Sequence, residues 1–285
     1  MSEELIRQIP MAGVVHDLPN EVYHGISDAV SNSGLNDFAR SPAHYFGRHL
    51  DPERPPRETK PGQLEGTLAH CALFEPGEFD RRYRVGPDVH KATNVWKAFK
   101  AECADMRAEP VDADQKRIAF LQAAQARSLP SVAKALAVGR PEVSVFWLDE
   151  ETGVRCRARP DWVHPVATPH GEGVILIDGK TYSDASGREF SRQIERKAYH
   201  RQAAFYTDGY EAATAVQVMG FIFVAMETEW PFKANALMLG ADDIQLGRNE
   251  YRALLERYAE CRATGLWPGY GEDIELISLP RRGAR

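Results

Sequence analysis

The sequence predicts a mixed α/β fold, with strands and helices interleaved along 285 residues. Three observations carry this reading. Val174 to Asp178 and Val216 to Met226 are nearly continuous apolar runs, the pattern of strands buried on both faces. A long helical stretch from about Arg188 to Ala212 separates them. Before them, Val143 to Leu148 alternates and meets Val154 to Arg159 across a five-residue loop containing Gly153, which predicts a hairpin. With 43% hydrophobic residues the chain can bury a sizeable core. The expectation is one domain over residues 1–285, with a core sheet at about 142–239 and a helical insertion at about 91–138.

The elements follow in order. After a short extended start, Ser31-Asn32-Ser33 offers caps for a helix that buries Leu35, Phe38 and Tyr45. The run Asp51 to Pro61 is charged and proline-rich and reads as an exposed loop beside the site. Gly62 to Glu75 reads as a helix carrying His70 and stopped by Pro76-Gly77. Residues 91–138 are rich in Ala, Lys, Gln and Leu, with breaks at Pro110 and Pro130, so two or three helices are expected as an all-α insertion. The hairpin and the two buried strands come next, then a strand near Ala234 to Leu239 and a final helix from about Asp242 to Thr264.

Composition excludes several classes. No apolar run approaches the roughly 20 residues that span a bilayer, and the start Met1-Ser2-Glu3-Glu4 is acidic, so no membrane partner and a cytoplasmic location are expected. Cys71, Cys103, Cys156 and Cys261 form no C-x-x-C pair, which argues against a zinc cluster or a disulfide framework. The formal charge of -6 means that any nucleic-acid contact must come from a local basic surface.

The chemistry concentrates between Arg155 and Lys180. Arg159-Pro160-Asp161 is followed, seventeen residues after Asp161, by Asp178-Gly179-Lys180. In a strand Asp178 and Lys180 project to one side, and with Asp161 beside them they could hold a hard cation, Mg²⁺ or Mn²⁺, against a phosphodiester. The Gly179 carbonyl could complete a half-shell of oxygen ligands. Lys180 would orient or help deprotonate the attacking water, or stabilise developing negative charge. Taken alone, a strand-end Asp-x-Lys is more often a solvated turn than a catalytic pair, and its neighbours shift that balance.

Arg155, Arg157 and Arg159 share the parity of Asp161, and three guanidiniums on one strand face require something anionic across them: a DNA backbone, or a row of Glu side chains. Tyr199, Gln202, Tyr206 and Tyr210 lie at helical spacing on one stripe, which can pack on a sheet and also present polar tips. His70 is either a satisfied structural residue or a ligand, better suited to Mn²⁺ than to Mg²⁺. Glu65 and Glu142 are further carboxylates whose position relative to the site the spacing leaves open.

Taken together, Gly66-Thr67-Leu68-Ala69-His70 with Phe74-Glu75-Pro76, Arg157-Ala158-Arg159-Pro160-Asp161, Ile177-Asp178-Gly179-Lys180-Thr181 and Tyr199-His200-Arg201-Gln202-Ala203-Ala204-Phe205-Tyr206 resemble the PD-(D/E)XK nuclease superfamily, most closely its exodeoxyribonuclease VIII (RecE-like) branch, often phage- or prophage-borne. The resemblance covers roughly Tyr23 to Leu239. It implies a restriction-endonuclease-like core in a single nuclease domain, a central mixed sheet flanked by helices. It implies a metal held by His70, Asp161 and Asp178, with Lys180 as the motif lysine and Gln202 and Tyr206 near the active site and the DNA.

The activity it implies is metal-dependent hydrolysis of linear double-stranded DNA from its ends, 5′ to 3′, by a ring-shaped homo-oligomer (a trimer or tetramer) working beside a single-strand annealing protein in recombination. An endonuclease of the same superfamily and an inactive DNA-binding or assembly module remain the alternatives. A zinc hydrolase built on His70 is disfavoured, since no second histidine stands at ligand spacing. One departure is Gly179, where the pattern commonly has a bulky apolar residue; a flexible backbone there is expected to loosen metal binding.

Overall fold

The computed structural model of the chain describes residues 2–55, 62–169, 171–271 and 273–278. Among these, the strands are β1 (Gly13–Val15), β2 (Tyr83–Val85), β3 (Glu109–Val111), β4 (Arg140–Pro141), β5 (Ser144–Leu148), β6 (Arg155–Ala158), β7 (Trp162–Thr168), β8 (Gly171–Tyr182), β9 (Gln217–Glu227) and β10 (Ala234–Met238). The central sheet has the order β10-β9-β8-β7-β4. β8 and β9 are parallel and the other pairs are antiparallel, so the sheet is mixed, as expected. The parallel pair needs a crossover, and helices Gly187–Lys197 and Tyr199–Thr214 supply it.

Alternation along the two buried strands separates two cores. Leu176, Phe221, Phe223 and Ala225 face the crossover helices and the closing helix Ala241–Thr264. Ile177, Val224 and Met226 face helix Gln63–Phe74 and helix Ala113–Arg127. Burial on both faces is why these strands read as continuous apolar runs. The closing helix approaches the Tyr199–Thr214 helix at Gly247, where a Cβ would lie 2.3 Å from the His200 carbonyl oxygen.

Several expectations change. The hairpin forms with the expected loop, but β5 and β6 join β1 in a separate three-stranded sheet rather than the central one. The expected single helix after Arg188 is broken at Ala198, whose φ of 52° is left-handed and turns the chain between two helices. β7 has no counterpart in the sequence reading because Pro165 interrupts its pattern. The proline is tolerated because β4 pairs only with Trp162 and Val163, leaving Pro165 on a free edge.

The start of the chain is not simply extended: helices Ser2–Arg7 and Asn20–Gly25 flank β1. The block at 91–138 is largely helical with the expected breaks, but it is not all-α, since β3 lies within it and pairs with β2. Helix Ala113–Arg127 covers one sheet face with Ala119, Ala123 and Ala126, and Gln122 donates to the Glu227 carbonyl at 2.8 Å. Of the proline-rich loop, residues 56–61 lie outside the described residues. The four cysteines are free and buried. Among the described residues no helix is long and apolar enough to cross a membrane.

Candidate active site

β8 runs on past Asp178 to Tyr182, so Asp178 and Lys180 sit inside a strand and not at its solvated end. Their side chains lie on the side of the Tyr199–Thr214 helix, where Gln202 donates to Asp178 Oδ1 at 2.5 Å and the Tyr199 ring lies 4.7 Å from Lys180 Nζ. Lys180 forms an ion pair with Asp178 Oδ2. The pairing of Trp162 with Ile177 brings Asp161, just before β7, alongside Asp178. Asp161 Oδ2 accepts the Gly179 backbone N–H at 2.7 Å.

His70 reaches the same point from the other face of the sheet. Its Nε2 lies 2.7 Å from the Gly179 carbonyl oxygen and its Nδ1 lies 3.3 Å from Asp161 Oδ2. That approach explains Gly179. A Cβ there would stand 2.9 Å from Phe74 Cε2 and 3.2 Å from His70 Nε2, so a side chain would push the histidine helix off the strand. The glycine is a condition of this close approach.

The two carboxylates are almost fully buried, Asp161 at 8% and Asp178 at 2% exposure. Burial, and then the neighbouring Asp178 carboxylate, push the Asp161 carboxyl well above the usual range. Burial draws the Lys180 ammonium down, but Asp178, Tyr199 and Asp161 outweigh it and leave it above its ordinary value. Lys180 is therefore a fixed cation in this state, suited to stabilising negative charge rather than to accepting a proton. Burial holds His70 below its ordinary value, which favours the neutral imidazole, the form that can ligate a metal.

Glu142 joins the site. Its backbone N–H donates to the Asp161 carbonyl at 3.1 Å, and burial followed by the Asp161 charge pushes its carboxyl up to about 7. Glu65 does not join it, since it accepts from Gln115 Nε2 at 3.2 Å on a different part of the surface. A bidentate pair between Arg82 and Glu75, 2.7 Å in both contacts, also lines the site and was not singled out by spacing.

Among the described residues no three His, Cys, Asp or Glu side chains already converge as a metal cage, because Asp178 is held by Lys180 and Gln202. The donor chemistry nevertheless fits a divalent cation that prefers oxygen: two carboxylates in mutual repulsion, a main-chain carbonyl and an imidazole. Asp178 Oδ2 is buried and makes no hydrogen bond, leaving the ion pair with Lys180 as its compensation.

The arginine row is placed differently from expectation. Its parity holds, but all three guanidiniums are buried against the chain's own first thirty residues. Arg155 pairs with Asp28 Oδ2 at 2.6 Å and donates to the Pro10 carbonyl at 2.7 Å, outside the cleft. Arg157 donates to the Tyr23 carbonyl and stacks 4.7 Å from the Tyr23 ring. Arg159 lies 3.9 Å from that ring and donates to Ser144 Oγ, Asn20 Oδ1 and the Leu18 carbonyl at 2.9 to 3.0 Å. The Asp28 carboxylate, main-chain carbonyls, the Asn20 and Ser144 side chains and the Tyr23 ring are the partners that spacing left open.

These groups border a cleft of about 620 Å³ that is lined by His70, Lys180, Gln202, Tyr206, Arg157 and Arg159 among others. Tyr206 is half-buried on its wall. Tyr210 departs from the stripe and lines a separate apolar cavity of about 370 Å³ with Val143, Val163 and Val174. His200 and Arg201 turn to the closing helix, 3.1 and 3.6 Å from Glu250.

Comparison with known proteins agrees with this architecture. No curated protein matches the sequence. A crystal structure described as a "putative exonuclease" from Eubacterium rectale superposes with a TM-score of 0.60 at 14% identity, over 94% of this chain and 97% of that one; at that identity the likeness concerns the fold. The profile of a sequence family matches residues 31–280, which includes His70, Glu142, Asp161, Asp178, Lys180 and Gln202. The chain belongs to that family, described as a PDDEXK-like domain of unknown function (DUF3799).

Proposed function

We propose that the chain is a divalent-metal-dependent deoxyribonuclease that hydrolyses phosphodiester bonds of linear duplex DNA from its ends. The observation that carries the reading is the juxtaposition of Asp161, Asp178 and Lys180 with the Gly179 carbonyl and His70 at the edge of an open cleft. Asp161, Asp178, the Gly179 carbonyl and His70 would hold the ion, Mg²⁺ or Mn²⁺. When bound, such an ion lowers the pKa of a water and neutralises charge on the reacting phosphate.

The chain's own groups do the rest. Lys180, kept cationic by Asp178 and braced against the Tyr199 ring, is placed to stabilise charge developing on the phosphate. Gln202 fixes the orientation of Asp178. Glu142, with its carboxyl pushed up to about 7, is placed to exchange a proton near neutral pH.

Action from duplex ends is supported by the resemblance to the RecE-like branch and by the exonuclease description of the structural neighbour. The 5′ to 3′ direction, a ring-shaped homo-oligomer, an annealing partner and a role in recombination rest on that resemblance. The test is cleavage of end-labelled linear duplex against covalently closed plasmid. Loss of the linear form with the closed circle intact is expected; nicking of closed circles would replace this reading with an endonuclease.

A further inference from the structure

The two edges of the central sheet are finished differently. The β4 and β7 edge carries Pro141 and Pro165, which withhold N–H groups that another strand would need. At the opposite edge β10 reads Ala-Asn-Ala-Leu-Met, without a charge, a proline or a bulge, and among the described residues it pairs with β9 alone. An open edge of this kind is a template for a further strand.

The register fixes which groups are free. Glu227 donates its N–H to the Lys233 carbonyl at 2.8 Å, so Lys233 faces β9, and by the antiparallel alternation Asn235 and Leu237 face it too. The N–H and C=O groups of Ala234, Ala236 and Met238 therefore point away from the sheet, and among the described residues no hydrogen bond satisfies them. Charge and apolar surface are spread unevenly about the strand. Lys233 before it and Asp242 and Asp243 after it are exposed, and none of the three is in an ion pair among the described residues. Met238 is 66% exposed, and Trp230, in the turn that leads out of β9, is 77% exposed.

We propose that β10 is a docking surface for a second copy of this chain, paired antiparallel with the β10 of that copy about a two-fold axis at Ala236. Ala236 then faces Ala236 of the second copy and Ala234 faces Met238 of the second copy, each pair exchanging its outward N–H···O bonds. A two-fold interface must be self-complementary, and this edge is. The same operation sets Lys233 of each copy toward Asp242 and Asp243 of the other, and carries Trp230 toward the start of the other copy's helix Ala241–Thr264. One axis thus satisfies the free backbone groups, matches the unpaired charges and covers exposed apolar surface. The two central sheets become one continuous sheet. The pairing rests on the fold and not on the nuclease reading.

Sedimentation of the full chain over a range of concentrations tests the pairing. The wild type is expected to associate into an even number of copies. Ala236→Pro removes an N–H that the chain's own sheet does not use, and is expected to halve the mass of a chain that still unfolds cooperatively. Met238→Lys, at an exposed position, puts charge on the edge and is expected to weaken association about tenfold, which decides the matter should Ala236→Pro fail to fold. Lys233→Glu is expected to weaken association as well, and Lys233→Glu combined with Asp242→Lys and Asp243→Lys to restore it. A wild type that is monomeric would overturn the self-pairing and give the edge to a strand of another protein. A trimer, or an association that folded Ala236→Pro and Met238→Lys leave unchanged, would place the contact on another surface and overturn it as well.

Discussion

At the scale of single residues the site is organised by close approach and by charge. Gly179 is the clearest case, because the contact of His70 and Phe74 with the strand exists only without a Cβ. Gly179→Ala is expected to cost about 1–3 kcal/mol by overpacking and to weaken divalent-metal binding, read by urea unfolding and by metal titration calorimetry. Glu142 gives a pH dependence. Its folded carboxyl is pushed from 4.5 up to about 7, so its contribution to stability is full below about 4.5 and is lost as pH rises through about 7. Asp161 acts with the same sign. Asp37 and Asp112, held low despite burial by His49 with Arg48 and by Lys91, act with the opposite sign in more acidic solution. His70, held below 6.5 by burial, opposes Glu142 up to about that pH. In metal-free protein the urea midpoint of the wild type is therefore expected to drop relative to that of Glu142→Gln as pH rises from about 5 to about 7. A constant difference would mean that Glu142 is solvated. The carboxylates and the lysine were legible because their spacing survives in one dimension. The destination of the arginines was not, because Asp28, the Leu18 and Tyr23 carbonyls and the Tyr23 ring lie more than a hundred residues away from them.

At the scale of elements, strong periodicity was legible and local breaks were not. β8, β9, β10 and the closing helix follow from apolar runs and helical patterning. β7 does not, because an edge strand with Pro165 lacks the clean alternation of a half-buried one. The break at Ala198 is also hidden, since alanine is the best helix former and carries no stop signal. Its left-handed backbone separates the helix that covers the sheet from the one that delivers Tyr199, Gln202 and Tyr206. Ala198→Gly removes the steric cost of that conformation and is expected to raise stability by about 1 kcal/mol in urea unfolding. A loss of stability would mean that the junction is held by packing of the Ala198 methyl.

At the scale of the whole molecule, a chain of net charge -6 presents a cleft whose walls carry Lys180, Arg157, Arg159 and Arg82. Global charge is therefore a poor guide to the ligand. The helical block at 91–138 illustrates the same limit: composition identified the helices, while only the tertiary structure shows that Ala119, Ala123 and Ala126 of one of them are buried in the second core. The arrangement as a whole is a sheet that brings two carboxylates and a lysine to one point, with a helix from each face closing on it. The most direct measurement is cleavage of end-labelled linear duplex by the purified chain with Mg²⁺, with Mn²⁺ and with EDTA, alongside Lys180→Ala. Metal-dependent degradation that falls by at least about a hundredfold in a folded Lys180→Ala variant is the expected result. Degradation that persists in EDTA, or that Lys180→Ala retains at the wild-type rate, would contradict the assignment of this site.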